Sequence, residues 1–207
     1  MKKQWFWILI AALFLTAGTT HAEDDGVDTR TFEAIHGFYS CELPAWGWET
    51  TVLDEEMDET REYFLQLTNK ANPSVTIEVT YFTSEAASFA GYDDFIQRNT
   101  RNALGETRSP RETYGPAEPV VNSLGIKAFR IERQRLVYLH LESKSEESMD
   151  LKEKLYVIPG EDGFFVLHYS SPDYEFDFHT PDFERVFESF KPGKRPEGFP
   201  VIKDEEE

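Results

Sequence analysis

The stretch LYVIPGEDGFFVLHYSSPDYEFDFHTPDFERVFESFK, residues 155–191, decides the fold. Its first apolar run extends from Leu155 to Ile158, and a second extends from Phe164 to Tyr169, after the turn PGEDG at 159–163. Two apolar runs separated by a short turn with proline and glycine predict strands that pair antiparallel. This part of the chain therefore predicts a hairpin buried in a sheet.

A closing helix is predicted after this hairpin. Thr180 is a suitable N-cap residue, Pro181 suits the first helical position, and Asp182 and Glu184 favour the positive end of the helix dipole. Four apolar residues at helical spacing form a stripe that would seal the helix onto the sheet: Phe183, Val186, Phe187 and Phe190. The segment Lys-Pro-Gly at 191–193 ends the helix.

The middle of the chain predicts more strands and one helix. Val75 to Tyr81 alternates apolar and polar residues, and a loop at 69–73 joins it to a strand over Tyr63 to Leu67. After Phe82 the apolar period changes to three and four. The helix face consists of Phe89, Tyr92, Ile96 and Ala103, with Ser84 or Ser88 as the candidate cap.

Two further regions complete the predicted sheet. Phe38 to Leu43 is the first strand, ended by Pro44 and followed by the aromatic turn Trp46-Gly47-Trp48. Residues 126–142 alternate again, but Arg133 and Arg135 fall on the apolar face. The strand therefore either extends past the edge of the core or breaks into two. Residues 105–119 are rich in turn-forming residues and are predicted to be a long loop.

The order of these elements predicts an α+β fold, with an antiparallel sheet of about six strands covered by helices. Three stretches resemble the PsbP-like family: FYSCELPAWGW at 38–48, VNSLGIKAFRIE at 121–132, and residues 155–191. The turn carries Trp46 and Trp48 where the family usually has one tryptophan. The resemblance implies an α/β/α sandwich and a non-enzymatic accessory or binding role.

The first 22 residues have the pattern of a cleavable secretory signal. Lys2 and Lys3 precede a mainly apolar run from Trp5 to Ala17, and Thr20-His-Ala22 suits cleavage after Ala22. This run is shorter than the roughly 20 residues that a spanning helix needs, although a membrane anchor is the alternative. We expect a periplasmic or secreted protein with an acidic lead-in at 23–34, one domain at 35–192 and a loose charged tail at 193–207.

Charge and cysteine content limit the function further. The whole chain has a net charge of −18. Removing the two lysines of the signal leaves about −20, which argues against nucleic-acid partners and anionic membranes because like charges repel. Cys41 is the single cysteine, so no internal disulfide can form. Its apolar neighbours predict a buried thiol.

A local excess of basic residues stands out in this acidic chain. Residues 97–135 contain eight basic and four acidic side chains. If they converge, the guanidinium groups form a basic patch for a carboxylate, a phosphate or an acidic protein surface. Alternatively, they pair with the surplus acids of the chain. The seven arginines are Arg98, Arg101, Arg108, Arg111, Arg130, Arg133 and Arg135.

No catalytic, cofactor or metal motif is found. Ser, Cys and Lys lack an activating context, there is no glycine-rich phosphate loop, and His140 and His168 are predicted to be structural. We expect a non-catalytic accessory or protein-interaction domain without a cofactor, acting on a periplasmic or membrane-associated protein. One alternative is a carrier of a small ligand or metal ion, with a pocket near Trp46 and Trp48. The other is an undetected hydrolase.

Overall fold

The computed structural model describes residues 28–34, 37–53, 61–83, 89–101, 111–139, 147–160 and 162–193. The predicted signal peptide lies outside these ranges, as do Ser84, Ser88, Ala103, His140 and most of the predicted tail. Within the described ranges, no helix combines the length and apolar character needed to cross a membrane.

Eleven strands and two helices form the described fold. The strands are β1 (Thr29–Glu33), β2 (Tyr39–Pro44), β3 (Trp48–Leu53), β4 (Arg61–Asn69), β5 (Thr76–Thr83), β6 (Thr113–Tyr114), β7 (Glu118–Val121), β8 (Lys127–Tyr138), β9 (Ser148–Pro159), β10 (Gly163–Pro172) and β11 (Lys191–Pro192). The helices are α1 (Tyr92–Asn99) and α2 (Phe176–Ser189), and one 3-10 turn spans Asp173–Glu175.

The strands form two antiparallel sheets. The large sheet has eight strands: seven in the order β3-β4-β5-β10-β9-β8-β6, and β7, which pairs with β8. The small sheet has the order β1-β2-β11. The predicted antiparallel α+β fold is therefore confirmed, but the expectation of about six strands was too low. The expected turn between β2 and β3 does form, with Gly47 at φ 81°, a conformation that favours glycine.

Apolar clusters cover both faces of the large sheet. On one face, Phe95 of α1 packs against Phe82, Phe164 and Ile131. On the other face, α2 and the small sheet share one core with the large sheet, and the Tyr156 ring stacks on Phe187 with 3.6 Å between centroids. Burying a large apolar side chain stabilises a fold by roughly 1.5–3 kcal/mol, so these clusters hold the layers together.

Two expectations about the strands need correction, and one open alternative is decided. Part of the predicted lead-in, Thr29–Glu33, forms β1, because Phe32 lies opposite Cys41 in the small sheet. Within the predicted loop at 105–119, Thr113–Tyr114 pairs with β8 as β6, and β7 begins at Glu118. The strand that carries Arg133 and Arg135 does not break, since β8 runs without interruption over 12 residues.

The closing helix begins earlier than predicted. It starts at Phe176 and contains Pro181, so Thr180 is not its cap. Thr180 Oγ1 instead donates to the Phe176 carbonyl, which also accepts a hydrogen bond from Tyr169 Oη. The Phe176 ring lies 4.9 Å from the Tyr169 ring. These contacts with β10 hold the first turn in place, although Pro181 lacks the N–H of a helix interior.

Cys41 is buried, as the sequence indicated. Burial, with a smaller contribution from the charge of Glu42, raises the pKa of Cys41 to about 12. The thiolate is the reactive form of cysteine, so this residue fills the core and is not expected to react.

Candidate functional site

Three of the seven arginines of the predicted basic patch each lie beside an acidic partner of their own. Arg98 pairs with Asp94 one turn earlier in α1, at 2.8 Å. Arg111 pairs with Asp150, and Arg130 pairs with Glu118 on the neighbouring strand. Arg101 follows α1 and is exposed, whereas Arg108 lies outside the described residues. The ion pairing that was the alternative interpretation thus accounts for these contacts.

Arg133 and Arg135 are the two arginines that the fold brings together. Both side chains bind Glu153, which is fully buried on β9. Arg133 Nε lies 2.5 Å from Glu153 Oε2, and Arg135 Nη2 lies 2.6 Å from Oε1. The register explains the contact, because Arg133 is directly opposite Glu153 in the β8–β9 pair and cross-strand partners share one face.

His168 extends this cluster across the sheet. Its Nε2 lies 3.1 Å from Glu153 Oε1, and its Nδ1 lies 3.4 Å from Glu78 Oε2. Gln66 Nε2 donates to the other oxygen of Glu78 at 3.0 Å. We call Arg133, Arg135, Glu153, His168 and Glu78 the Glu153 network. With Gln66, it connects five neighbouring strands on the face covered by α1.

The pKa values in the network follow from these contacts. Burial alone would raise the pKa of Glu153, but hydrogen bonds from His168 and Arg135 outweigh it and hold that pKa well below its usual range. Burial would likewise lower the pKa of His168. The hydrogen bonds to Glu153 and Glu78 more than offset this effect and raise the pKa.

The network has a mechanical role. Arg133 Nη1 also donates to Asn99 Oδ1 at the end of α1, so the network ties that helix to the sheet. A buried carboxylate needs partners of this kind, because an unpaired charge away from water is costly. Arg133 and Arg135 are therefore engaged in contacts within the protein.

A second group of polar contacts anchors α2 on the opposite face. Lys154, which follows Glu153 on β9, donates from Nζ to Glu184 Oε1 at 2.6 Å. Tyr156 Oη donates to the other oxygen of Glu184 at 2.7 Å. Adjacent residues of one strand face opposite sides of the sheet, so β9 holds both helices through neighbouring side chains.

The two predicted tryptophans have opposite environments. Trp48 is buried, and its Nε1 donates to Asp182 Oδ2 at 3.0 Å. Trp46 is 76% exposed, and its Nε1 donates to Asp28 Oδ2 at 3.2 Å. Trp48 thus closes the core at this end of the sheet, whereas most of the Trp46 ring faces solvent.

Two more exposed aromatic side chains lie near this turn. Tyr174 is 77% exposed and Phe178 is 80% exposed. With Trp46, they are the most exposed large hydrophobic side chains in the described ranges, since the next, Val121, is 59% exposed. Tyr174 and Phe178 were not predicted from the sequence, although acidic and aromatic residues alternate in DYEFDF at 173–178.

A series of contacts places these aromatic residues at one end of the molecule. The Phe178 and His179 rings lie 4.8 Å apart, and the His179 and Trp48 rings lie 5.5 Å apart. The Gly47 carbonyl accepts from the backbone N–H of Lys70, and Asn72 Nδ2 in the same loop donates to Glu175 at 3.0 Å. We call Trp46, Tyr174 and Phe178 the aromatic end.

A groove of about 720 Å³ runs beside α2. It lies between the outer face of the helix, the outer face of the small sheet and the turn at Ser123–Leu124. Neither Trp46 nor Trp48 lines it, so it differs from the pocket that the sequence predicted. In the described part of the chain, no group of three His, Cys, Asp or Glu side chains is arranged to hold a metal ion. The charged residues that line the groove are Glu42, Glu184, Arg185, Glu188 and Lys191.

Comparison with solved structures identifies the class of this fold. The protein is an α+β sandwich whose helices cover an antiparallel sheet, and the particular fold is PsbP-like. It is similar to cyanobacterial PsbP (CyanoP) from Synechocystis sp. PCC 6803, with a TM-score of 0.50 and 11% identity over 81% of this chain and 94% of that one. At this identity the similarity shows the fold alone.

Two other solved structures are similar. The Ran-binding protein Mog1p of Saccharomyces cerevisiae has a TM-score of 0.48 and 10% identity, over 80% of this chain and 96% of its own. LpqN of Mycobacterium tuberculosis, involved in cell envelope biogenesis, has a TM-score of 0.41 and 16% identity, over 79% and 89%. No protein-family model and no curated protein matches the sequence.

Proposed function

We propose that the protein is an exported, non-catalytic interaction domain that binds a partner protein through the aromatic end. The observation that carries the proposal is the exposure of Trp46, Tyr174 and Phe178, each more than three-quarters open to solvent. Aromatic side chains contribute much of the energy of protein interfaces, because they bury a large area at a small entropic cost. Three such rings at one end of a domain form a docking surface.

The ion pairs of the arginines also favour the aromatic end as the binding surface. Arg133 and Arg135 bind the buried Glu153, and Arg98, Arg111 and Arg130 have carboxylate partners on the surface. A partner that used these arginines would have to displace an existing ion pair. At the aromatic end, a partner would displace only water from the exposed rings.

Site-specific photocrosslinking in the native cell tests the proposal. A benzophenone amino acid is placed at position 46 or 178, and a control carries it at Leu124, which is also exposed but lies on the Ser123–Leu124 turn beside the groove. We expect one shared adduct at positions 46 and 178 and none at 124. The protein captured in the adduct is then identified and purified, and its binding to the unmodified domain is measured. Equal adducts at all three positions, or none at 46 and 178, would contradict the proposal.

The groove beside α2 supports a second candidate function. Its volume of about 720 Å³ falls in the range of small-ligand sites. A carrier of a small molecule would bind there, between Arg185, Lys191 and the glutamates of the groove. A thermal-shift screen against metabolites tests this function, because a ligand that binds only the folded state raises the melting temperature. Ligand-dependent shifts that disappear in Arg185→Ala would favour the carrier.

A further inference from the structure

Each residue of the aromatic end has an acidic residue as its hydrogen-bond partner or as its neighbour in the chain. Asp28 accepts a hydrogen bond from Trp46 Nε1 at 3.2 Å. Asp173 and Glu175 flank Tyr174 in the 3-10 turn, and Asp177 precedes Phe178 in the first turn of α2. Asp173 and Asp177 are exposed. A ring face and a carboxylate side by side are the two groups that attract a lysine or arginine side chain.

The protein itself contains one example of this recognition. Lys152 Nζ lies 2.5 Å from Asp173 Oδ1 and 5.9 Å from the centroid of the Phe176 ring. The 3-10 turn and the start of α2 thus already hold one ammonium group between a carboxylate and an aromatic ring. Phe178, whose ring is exposed, follows Asp177, which is also exposed, so a second ring and a second carboxylate remain open to an outside cation.

The charge around the aromatic end is negative. The acidic side chains of this region outnumber Lys70 and Lys152, and the whole chain has a net charge of −18. Such a field speeds the approach of a positively charged partner and slows that of an acidic one. The acidic side chains are Asp28, Asp173, Glu175, Asp177 and Asp182.

We infer that the partner presents lysine or arginine side chains to the aromatic end, on a protein surface that also carries apolar groups. This inference rests on the proposed function and adds the chemistry of the partner. Each cationic group would lie over an exposed ring and bind the adjacent carboxylate, while apolar groups cover the rest of the ring. The test distinguishes this protein partner from a phospholipid surface, which is the other possible occupant of the aromatic end.

Two synthetic peptides provide the test: a short amphipathic peptide of leucine and lysine, and a leucine–glutamate peptide of equal length. Isothermal titration calorimetry measures their binding to the protein. We expect the leucine–lysine peptide to bind about tenfold more tightly than the other, and salt to weaken its binding.

A double variant tests the role of the carboxylates. Asp28→Asn with Asp177→Asn should weaken binding of the leucine–lysine peptide about tenfold, because both carboxylates lose their charge. The matched control, Asp93→Asn with Asp162→Asn, makes the same charge change on exposed residues of α1 and of the β9–β10 turn, away from the aromatic end, and should leave binding unchanged.

The possible failures differ in what they overturn. No measurable binding of the leucine–lysine peptide at millimolar concentration, or equal weakening by both double variants, overturns the cationic partner. A triple variant carries Trp46→Ala, Tyr174→Ala and Phe178→Ala. If the leucine–glutamate peptide binds as tightly as the leucine–lysine peptide, and the triple variant does not bind it, the docking surface stands and its proposed charge preference is wrong. If that triple variant binds like the unmodified protein, the docking surface itself is wrong. Co-sedimentation with phosphatidylcholine vesicles, lost in the triple variant, would replace the protein partner with a membrane.

Discussion

The Glu153 network and the aromatic end both place side chains in environments opposite to their usual ones. In the network, charged side chains that would ordinarily face solvent are turned inward and paired, with Glu153 fully buried. At the aromatic end, rings that would ordinarily be buried face solvent. The first arrangement contributes to the stability of the fold, whereas the second leaves apolar area available to another molecule. The contrast therefore assigns stability to the network, whereas binding at the aromatic end is our proposal.

The largest effect on stability is expected from Glu153→Gln. The change removes the charge that holds Arg133 and Arg135, and Arg133 is largely buried. Removing one partner of a buried ion pair costs about 3–5 kcal/mol of unfolding free energy. Urea denaturation followed by circular dichroism measures this loss.

Glu118→Gln is the control for Glu153→Gln. It breaks the ion pair with Arg130, in which both side chains are well exposed. The expected loss is about 0–1 kcal/mol, because solvent screens such pairs. A similar loss in both variants would show that the network does not have the structural role assigned to it.

A smaller difference is expected between the two tryptophans. Trp48→Phe removes the hydrogen bond to Asp182 and part of a buried ring, and we expect it to lower the unfolding free energy by about 1–2 kcal/mol. Trp46→Phe changes an exposed side chain and should stay within about 0.5 kcal/mol. Urea unfolding of the two variants compares them. A loss at Trp46 as large as that at Trp48 would mean that the aromatic end is part of the structural core.

The smallest effect is a pH dependence that originates in the network. The pKa of His168 is raised above 6.5 in the folded protein, so the charged imidazole favours folding. Its contribution is complete below about pH 6.5 and is lost as the pH rises through the folded pKa. His168 faces two carboxylates, because Glu78 lies 3.4 Å and Glu153 lies 3.1 Å from its ring nitrogens.

His168→Gln tests this pH dependence. Unfolding free energies are measured in urea from pH 6 upward. The unmodified protein should lose stability as the pH rises, and the variant should show a flatter profile. Parallel profiles would exclude His168 as the source.

The sequence predicted those parts of the fold that depend on local patterns. Alternation at Val75 to Tyr81 marked β5, and the stripe that includes Phe183 and Phe187 marked the face of α2. β1 was missed because TRTFE has little apolar content, and it forms only by pairing with β2. The start of α2 was placed too late, since Phe176 is held by Tyr169 from another strand.

The candidate sites were harder to predict than the fold, because they depend on tertiary contacts and not on local patterns. The sequence grouped the arginines by their closeness along the chain, but the acid that Arg133 and Arg135 share comes from β9 and is set by strand register. Trp46 was singled out as an aromatic edge. Tyr174 and Phe178 were not, because apolar residues near a helix are ordinarily expected to face the core, and only the fold shows which do not.

The affinity of the crosslinked partner for two variants tests the central claim most directly. One variant replaces Trp46, Tyr174 and Phe178 with alanine, and the other replaces Arg98, Arg111 and Arg130 with glutamine. Arg133 and Arg135 stay unchanged because they hold Glu153. The aromatic variant should raise Kd about 100-fold, as expected when interface anchors are removed, and the arginine variant should stay within about twofold. A large loss in the arginine variant, with an unchanged Kd in the aromatic variant, would contradict the account.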